Sequence, residues 1–353
     1  MKAIVTGDTL ERLAPMMTAS RNQSLDVLRG VAILLVLHCH YPYKHWMRVG
    51  WIGVDLFFVL SGFLISGLLF LELKREGSIR ICRFLLRRGF KIYPSFYVFI
   101  SLTALLIPAL RSHFLIHALF LQSYYPADLT IWGHTWSLAV EEHFYLVLPF
   151  VIAFLFRAKR LHWIPGIAVV LAVCCFILRF QSNQPLLWAS HLRMDALFAG
   201  VAIGYVFHFA PERFTAISRW YLLFPAALFL IPAYAGPVGN RAQSAAMTAN
   251  LLGFSCLLIW AVPRRFRYCG WLAKIGVYSY SIYIWHLSVS RLWEPTKHMS
   301  FFGLCGYLVT ALIVSFEAAR LVESPFLRLR ERVFQPRKIH ASVPLEADTE
   351  IVM

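Results

Sequence analysis

The chain has 353 residues, of which 59% are hydrophobic and only 15% are charged. Soluble domains carry about 25% charged residues, so this composition excludes an ordinary water-soluble domain and indicates a membrane protein. The formal net charge of +16 would suit a nucleic-acid partner in a soluble protein. Here the basic residues fall mostly in short loops between apolar runs, which is the positive-inside pattern, so we expect no nucleic acid.

Ten apolar runs predict an all-α, polytopic bundle of about ten transmembrane helices, since about 20 apolar residues cross a bilayer. The predicted spans are 25–43, 51–71, 92–110, 134–156, 163–180, 191–209, 220–235, 243–262, 272–292 and 301–322. The basic stretch 72–91 is predicted to be a cytoplasmic loop. Residues 21–325 are predicted to form one transmembrane domain. The flanking segments, 1–20 and 326–353, are predicted to be cytoplasmic tails, because an even number of spans leaves both termini on one side.

The first span combines ionisable residues with an apolar run. Ionisable groups are costly in lipid, and those that occur there are functional candidates. Arg29 and His40 are eleven residues apart, close to three helical turns, so they share one face and lie roughly 16 Å apart along the axis. His38 faces nearly the opposite side and is expected to be structural. Asp26, one turn before Arg29, is expected to hold that arginine.

Ionisable side chains on other spans reach the same half of the bilayer as His40, and we expect them to face one shared cavity. The candidates for this cavity are Asp55, Ser61, Trp136, Glu141, Glu142, Arg193, Asp195 and His286, together with Asp26 at the other end of the first span. The adjacent Glu141 and Glu142 point about 100° apart, so at most one of them aims directly at a site. For Arg193 and Asp195, the alternative to a role in the cavity is an ion pair between them that anchors the start of their span.

Metal and disulfide sites are not expected. The seven cysteines include no Cys-x-x-Cys motif and lie mostly within or beside apolar runs. His113 and His117 have the spacing of a helical ligand pair, but no carboxylate or third ligand is evident nearby. We therefore predict no metal-binding residues.

A series of motifs runs through the whole membrane region in a fixed order. They are Asp26-x-Leu28-Arg29-Gly30 followed by His40, then 53–65, 87–94, 135–145, Arg193-Met194-Asp195, 278–286 and Glu323-Ser324-Pro325-Phe326. Together they resemble the membrane acyltransferase-3 family, the bacterial integral-membrane O-acyltransferases of polysaccharides, lipopolysaccharide and related acceptors. Two positions depart from the family pattern, with Lys91 where arginine is usual and His143 where glutamine is usual. Lys91 keeps the charge but loses the bidentate fork, which weakens a phosphate contact.

The resemblance implies transfer of an acyl group, most often acetyl, from acyl-CoA to a hydroxyl of a carbohydrate or glycosylated acceptor. It also implies a location in the inner (cytoplasmic) membrane, with the lipid bilayer as a partner and no tightly bound cofactor. Because the CoA donor is anionic and cytoplasmic, we expect Arg87, Arg88 and Lys91 to bind it. Arg29 lies just inside and is expected to meet a phosphate or to steer the donor's arm.

His40 is the preferred general base, since a histidine side chain ordinarily has a pKa near neutrality. Glu141 or Glu142 is expected to orient the His40 ring, and the residues leave open which one does so. Trp136, Ser61 and Arg193 are candidate donors to the tetrahedral oxyanion. Direct transfer is preferred to a covalent acyl-enzyme, because no nucleophile stands out.

The alternative function is a proton-coupled transporter or flippase of a cell-envelope precursor, because buried acids, histidines and arginines also form proton relays. Inverted repeats would favour a transporter, and the sequence shows no clear repeat.

The acceptor is left open among a surface polysaccharide, a lipid-linked oligosaccharide and a small glycosylated metabolite. The oligomeric state is open as well. Family members often carry an extra extracytoplasmic domain, and we expect this chain to act alone or with a separate partner.

Overall fold

The computed structural model describes residues 22–40, 50–125, 131–182, 187–234, 239–293 and 301–334. Within these ranges the chain folds into helices and turns without strands, which confirms the all-α prediction. The helices are α1 (Gln23–His40), α2 (Ile52–Glu76), α3 (Ile81–Leu106), α4 (Phe114–Ala118), α5 (Trp136–Arg157), α6 (Ile164–Gln181), α7 (Met194–Phe209), α8 (Pro211–Ile217), α9 (Leu223–Tyr234), α10 (Asn240–Ala261), α11 (Gly270–Val277), α12 (Ser279–Trp293), α13 (Phe301–Ala318) and α14 (Ser324–Val333). A π-helical turn, Ala319–Glu323, joins α13 to α14.

Among the described residues, six helical segments are long and apolar enough to cross a membrane. They contain α2, α3, α5, α6, α10 and the continuous stretch of α13 and α14. A seventh is added if α7 and α8, bent by 116° at their junction, form one span. The other predicted spans also fold as helices, namely α1, α9 and the pair α11 and α12. The protein is therefore a multi-pass membrane bundle, and the predicted count of ten is approximate.

The third predicted span begins earlier in the structure than in the sequence-based prediction. The helix α2 continues to Glu76 and ends at Gly77, whose φ of 66° lies in the left-handed region that favours glycine. The helix α3 then begins at Ile81, so the connection is only four residues long rather than the predicted loop 72–91. The basic residues that follow are helical, because lysine and arginine are good helix formers and positive charge does not end a helix.

Two helix pairs pack backbone against backbone at glycines. A Cβ atom added to Gly62 on α2 would collide with the carbonyl oxygen of Leu197 on α7. In the same way, a Cβ on Gly276 of α11 would collide with the carbonyl oxygen of Asp26 on α1. Small residues allow such close approach between helices in a membrane. These contacts fix α1 and α2, which both carry candidate site residues.

Two buried ion pairs link separate segments of the bundle. The Arg193 guanidinium pairs with Asp55 on α2, and the second Asp55 oxygen accepts a hydrogen bond of 2.8 Å from Asn250 on α10. Arg179 on α6 pairs with Asp195 at 2.7 Å, and these two side chains are 0% and 3% exposed. The anchoring pair considered between Arg193 and Asp195 does not form, because each residue pairs with a different helix.

The predicted tails lie largely outside the described residues. Residues 1–20 and 335–353 are not described. The part of the predicted C-terminal tail that is described, 326–334, continues as the helix α14 and its last turn. This helix lies beside α3, where Arg87 pairs with Glu331.

Candidate active site

A cavity of about 260 Å³ lies between α1, α2, α3, α5 and α12. Its wall on α2 runs from Val54 to Leu68, which is roughly 21 Å along the helix axis. That wall is mainly apolar, whereas the other helices contribute charged groups and hydroxyls. The polar lining residues are Arg29, Ser61, Arg88, Lys91, Ser137, Glu141, Glu142, Tyr145, Ser279, Tyr280 and Tyr283. The cavity is therefore elongated and amphipathic.

The two adjacent glutamates on α5 both line the cavity, and hydroxyl groups hold them. Glu141 accepts hydrogen bonds from Ser61 Oγ at 2.8 Å and from Tyr145 OH at 2.7 Å. Glu142 accepts one from Tyr93 OH at 3.2 Å, and its other oxygen has no hydrogen-bond partner among the described residues. The different partners reflect the angle of about 100° between neighbouring positions on a helix.

Three cations face the same space. Arg29 and Arg88 are half-buried on its wall, and the Arg88 guanidinium lies 5.5 Å from the centre of the Tyr145 ring. Lys91, the departure from the usual arginine, forms an ion pair with Glu323. The carboxylate of Glu323 thus offsets the Lys91 charge. The sequence contained Glu323 within a family motif but gave no indication of this pairing.

Arg87 points away from the cavity. Its guanidinium lies 3.4 Å from a Glu331 carboxylate oxygen and 5.6 Å from the centre of the Phe334 ring. Both partners belong to α14 and its last turn. Since consecutive helical residues diverge by about 100°, Arg88 can face the cavity only if Arg87 turns toward a neighbouring element. The structure therefore separates the predicted donor-binding group into two inward cations and one cation paired with α14.

Three histidines from three separate segments meet near the end of α1. The ring centres of His40 and His286 are 4.8 Å apart, and those of His134 and His286 are 4.9 Å apart. Nε2 of His286 lies 3.2 Å from Nδ1 of His40. His286 is fully buried and His134 is 4% exposed. We call these three residues the histidine cluster.

The hydrogen-bond partners assign the tautomers within the histidine cluster. Nδ1 of His286 lies 2.7 Å from the Tyr283 carbonyl oxygen, so this nitrogen carries the hydrogen and Nε2 is the acceptor. Nδ1 of His40 lies 2.9 Å from the Val36 carbonyl oxygen and faces the His286 acceptor, so it also carries a hydrogen. In the neutral ring, the lone pair of His40 is consequently on Nε2. A lone pair at that position is what a general base requires.

Tyr283 connects the histidine cluster to the cavity. Its side chain lines the cavity, and its ring centre lies 5.3 Å from that of His134 and 5.7 Å from that of His286. Its hydroxyl donates a 2.7 Å hydrogen bond to the His134 carbonyl oxygen. The cluster is thus next to the cavity wall. Sequence reasoning missed both His134 and Tyr283, although both lie within or directly beside the matched motifs.

The structure distributes the predicted site residues over these regions. Arg29, Ser61, Arg88, Lys91 and both glutamates are on the cavity wall, whereas His40 and His286 are in the histidine cluster. Glu141 or Glu142 was expected to orient the His40 ring, whereas the groups beside His40 Nδ1 are the Val36 carbonyl oxygen and Nε2 of His286. The remaining predicted lining residues lie outside the cavity wall; they are Asp26, Asp55, Trp136, Arg193 and Asp195.

Comparison with known proteins identifies the family. The model of the acyltransferase domain called Acyl_transf_3 matches residues 22–320. The chain belongs to the acyltransferase-3 family. Peptidoglycan O-acetyltransferase OatA of Listeria monocytogenes is 25% identical over 329 residues, an alignment that covers 78% of this chain and 50% of that protein. O-acetyltransferase OatA of Staphylococcus aureus is 27% identical over 378 residues, covering 93% of this chain and 61% of the relative.

A further relative, the putative O-acetyltransferase SACOL0978 of Staphylococcus aureus strain COL, is 25% identical over 304 residues. That alignment covers 75% of this chain and 50% of the relative. The chain thus spans about half the length of the first curated relatives that it matches. No solved structure matches it.

Proposed function

We propose that this acyltransferase-3 protein transfers an acetyl group from acetyl-CoA to a hydroxyl of a carbohydrate, with His40 as the general base. Family membership supports acyl transfer over the transporter alternative, and two of the relatives are O-acetyltransferases named OatA, one of them a peptidoglycan O-acetyltransferase. The observation that carries the proposal is the elongated cavity, which contains three cations and abuts the histidine cluster at Tyr283.

The cavity suits the narrow part of the donor rather than the whole molecule. Its volume of about 260 Å³ is below the range of roughly 300–1,000 Å³ typical of complete ligand sites. A pantetheine arm and its acyl group are long and thin, which fits a space that extends roughly 21 Å along α2. Arg88 supplies positive charge for the donor's phosphates, since charge-assisted hydrogen bonds to phosphate are strong. Lys91 contributes less, because Glu323 offsets its charge.

At the other end of the arm, His40 acts on the acceptor. Its Nε2 takes the proton of the acceptor hydroxyl, and the hydroxyl oxygen attacks the thioester carbonyl carbon. A carbon–oxygen bond forms, the carbon–sulfur bond breaks, and the imidazolium returns the proton to the departing sulfur. Positioned proton transfer of this kind contributes about 10²–10⁴-fold to a rate.

The charge distribution supports an orientation in the membrane. Ser24 Oγ donates a hydrogen bond to the Arg264 carbonyl oxygen, so the basic segment 263–269 lies beside the start of α1. Lys and Arg accumulate on the cytoplasmic side of inner-membrane proteins. We therefore place the start of α1 and both tails in the cytoplasm, and the acceptor on the opposite side near His40.

The test uses purified protein in proteoliposomes with acetyl-CoA labelled in the acetyl group. Soluble peptidoglycan fragments, a lipid-linked oligosaccharide and a small glycoside are offered as separate acceptors. We expect the wild-type protein to form a base-labile ester on at least one carbohydrate and to release CoA thiol. His40→Ala should lower this transfer by about 100-fold or more while donor binding persists.

His208→Ala is the matched control, because His208 is also a buried histidine but packs against Phe70 away from the cavity. This control should retain transfer. Full transfer by a folded His40→Ala variant would refute the assignment of the base. If folded protein bound acetyl-CoA but acetylated none of the carbohydrates, the proposed acceptor class would be refuted.

A further inference from the structure

The histidine cluster contains an orienting group for His40 that is not a carboxylate. In hydrolases with a catalytic triad, an acidic side chain accepts the hydrogen of the histidine nitrogen that is not the base. In this protein the hydrogen on His40 Nδ1 has two acceptors, the Val36 carbonyl oxygen at 2.9 Å on the same helix and Nε2 of His286 at 3.2 Å. Both glutamates instead accept hydrogen bonds from hydroxyl groups at the cavity wall.

His286 is itself fixed in the orientation that this contact requires. Its side chain is 0% exposed, and Nδ1 donates a 2.7 Å hydrogen bond to the Tyr283 carbonyl oxygen three residues earlier on α12. The ring of His134 packs edge-on against it at 4.9 Å between ring centres. A rotated or flipped His286 ring would place a donor, rather than the Nε2 lone pair, against His40.

We infer that His286 is a positioning residue for His40: it shares the Nδ1 hydrogen with the Val36 carbonyl oxygen and fixes the ring, which leaves the lone pair on Nε2 for the acceptor hydroxyl. This inference rests on the function proposed above. When His40 takes the acceptor proton at Nε2, the Nδ1 hydrogen bond to neutral His286 becomes charge-assisted and strengthens. The interaction is therefore stronger as charge develops than in the resting state, which is the property that accelerates a reaction.

The cluster orients the base and does not conduct a proton onward. A proton that moved from His40 Nδ1 to His286 Nε2 could leave His286 only through Nδ1. That nitrogen faces the Tyr283 carbonyl oxygen, which cannot accept a proton permanently. A neutral partner also avoids placing a further charge in the bundle, where desolvation of an ion is costly.

The experiment compares His286→Leu and His286→Gln in the acetyl-transfer assay. Leucine fills the space without an acceptor, whereas the glutamine side-chain oxygen can accept the His40 hydrogen in place of Nε2. We expect His286→Leu to lower kcat about 100-fold with an unchanged KM for acetyl-CoA, and His286→Gln to recover most of that loss. His208→Leu, the same substitution at a buried histidine outside the cluster, should leave kcat unchanged.

The second readout does not depend on activity. Nitrogen NMR of histidine-labelled protein in bilayers reports the hydrogen bonds of each ring nitrogen. We expect His40 to stay Nδ1–H in every variant, because the Val36 carbonyl oxygen remains an acceptor. The Nδ1 resonance should shift in His286→Leu and stay near its wild-type position in His286→Gln. An unchanged His40 Nδ1 resonance in folded His286→Leu, or equal loss of kcat in both variants, would overturn the inference. If instead His40→Ala remained active, the proposed base would fall, while the NMR result would still decide whether His286 accepts the His40 hydrogen.

Discussion

Replacing Arg193 with methionine should destabilise the bundle rather than disturb chemistry directly. Arg193 and Asp55 are 3% and 2% exposed, and their ion pair lies outside the cavity wall. The Arg193 guanidinium also lies 5.4 Å from the Phe58 ring centre. Methionine keeps an unbranched chain of similar length but leaves the Asp55 carboxylate buried without its cation.

The structure sets the size of the effect. Removing one partner of a buried ion pair costs about 3–5 kcal/mol, because the remaining charge is not compensated. Replacing both residues, as Asp55→Leu with Arg193→Met, removes that charge but leaves the Asn250 amide without the acceptor it has at 2.8 Å. An orphaned buried polar group costs about 1–3 kcal/mol. The double variant should therefore be more stable than the Arg193→Met single variant.

The melting temperature of each purified variant, measured by size-exclusion chromatography after heating, gives this order of stability. Arg320→Met is the matched control, because Arg320 and Glu317 form a 4.0 Å pair with side chains 73% and 48% exposed. Exposed pairs contribute about 1 kcal/mol or less. The reasoning fails if Arg193→Met is as stable as Arg320→Met, or if the double variant is less stable than Arg193→Met.

Two other predictions concern helix packing and the donor. Gly62→Ala should lower the stability of the fold by about 1–3 kcal/mol, because the new Cβ meets a backbone oxygen that cannot move independently. Gly166→Ala is the control and should not lower the melting temperature, because a Cβ there meets nothing within 4 Å. Equal melting temperatures for the two variants would contradict the packing argument. Arg88→Gln should raise the KM for acetyl-CoA about tenfold or more with little change in kcat, since it removes a cation from the cavity wall. Arg87→Gln should raise KM less, because that guanidinium contacts α14, and a larger effect at Arg87 would contradict the assignment.

Much of the bundle could be predicted from the sequence because membrane helices are specified locally. A sufficiently long apolar run indicates a membrane span whatever other helices pack around it. The spacing of Arg29 and His40 along the first span follows from the rise per residue of a helix. The start of α3 was predicted too late, because hydropathy detects where a helix enters lipid and not where the helix begins. The divergence of Glu141 and Glu142 was also predictable, and the structure gives them separate partners.

The partners of the site residues could not be predicted in this way. A helix fixes the direction of its own side chains, but the residue opposite depends on how distant segments pack. Asp55 and Arg193 are 138 residues apart in sequence, and His40 and His286 are 246 apart. The sequence by itself therefore determined a polytopic acyltransferase-like bundle and a first span carrying Arg29 and His40. Only the tertiary structure decided that His286 contacts His40, that both glutamates join the cavity, and that Arg87 faces α14.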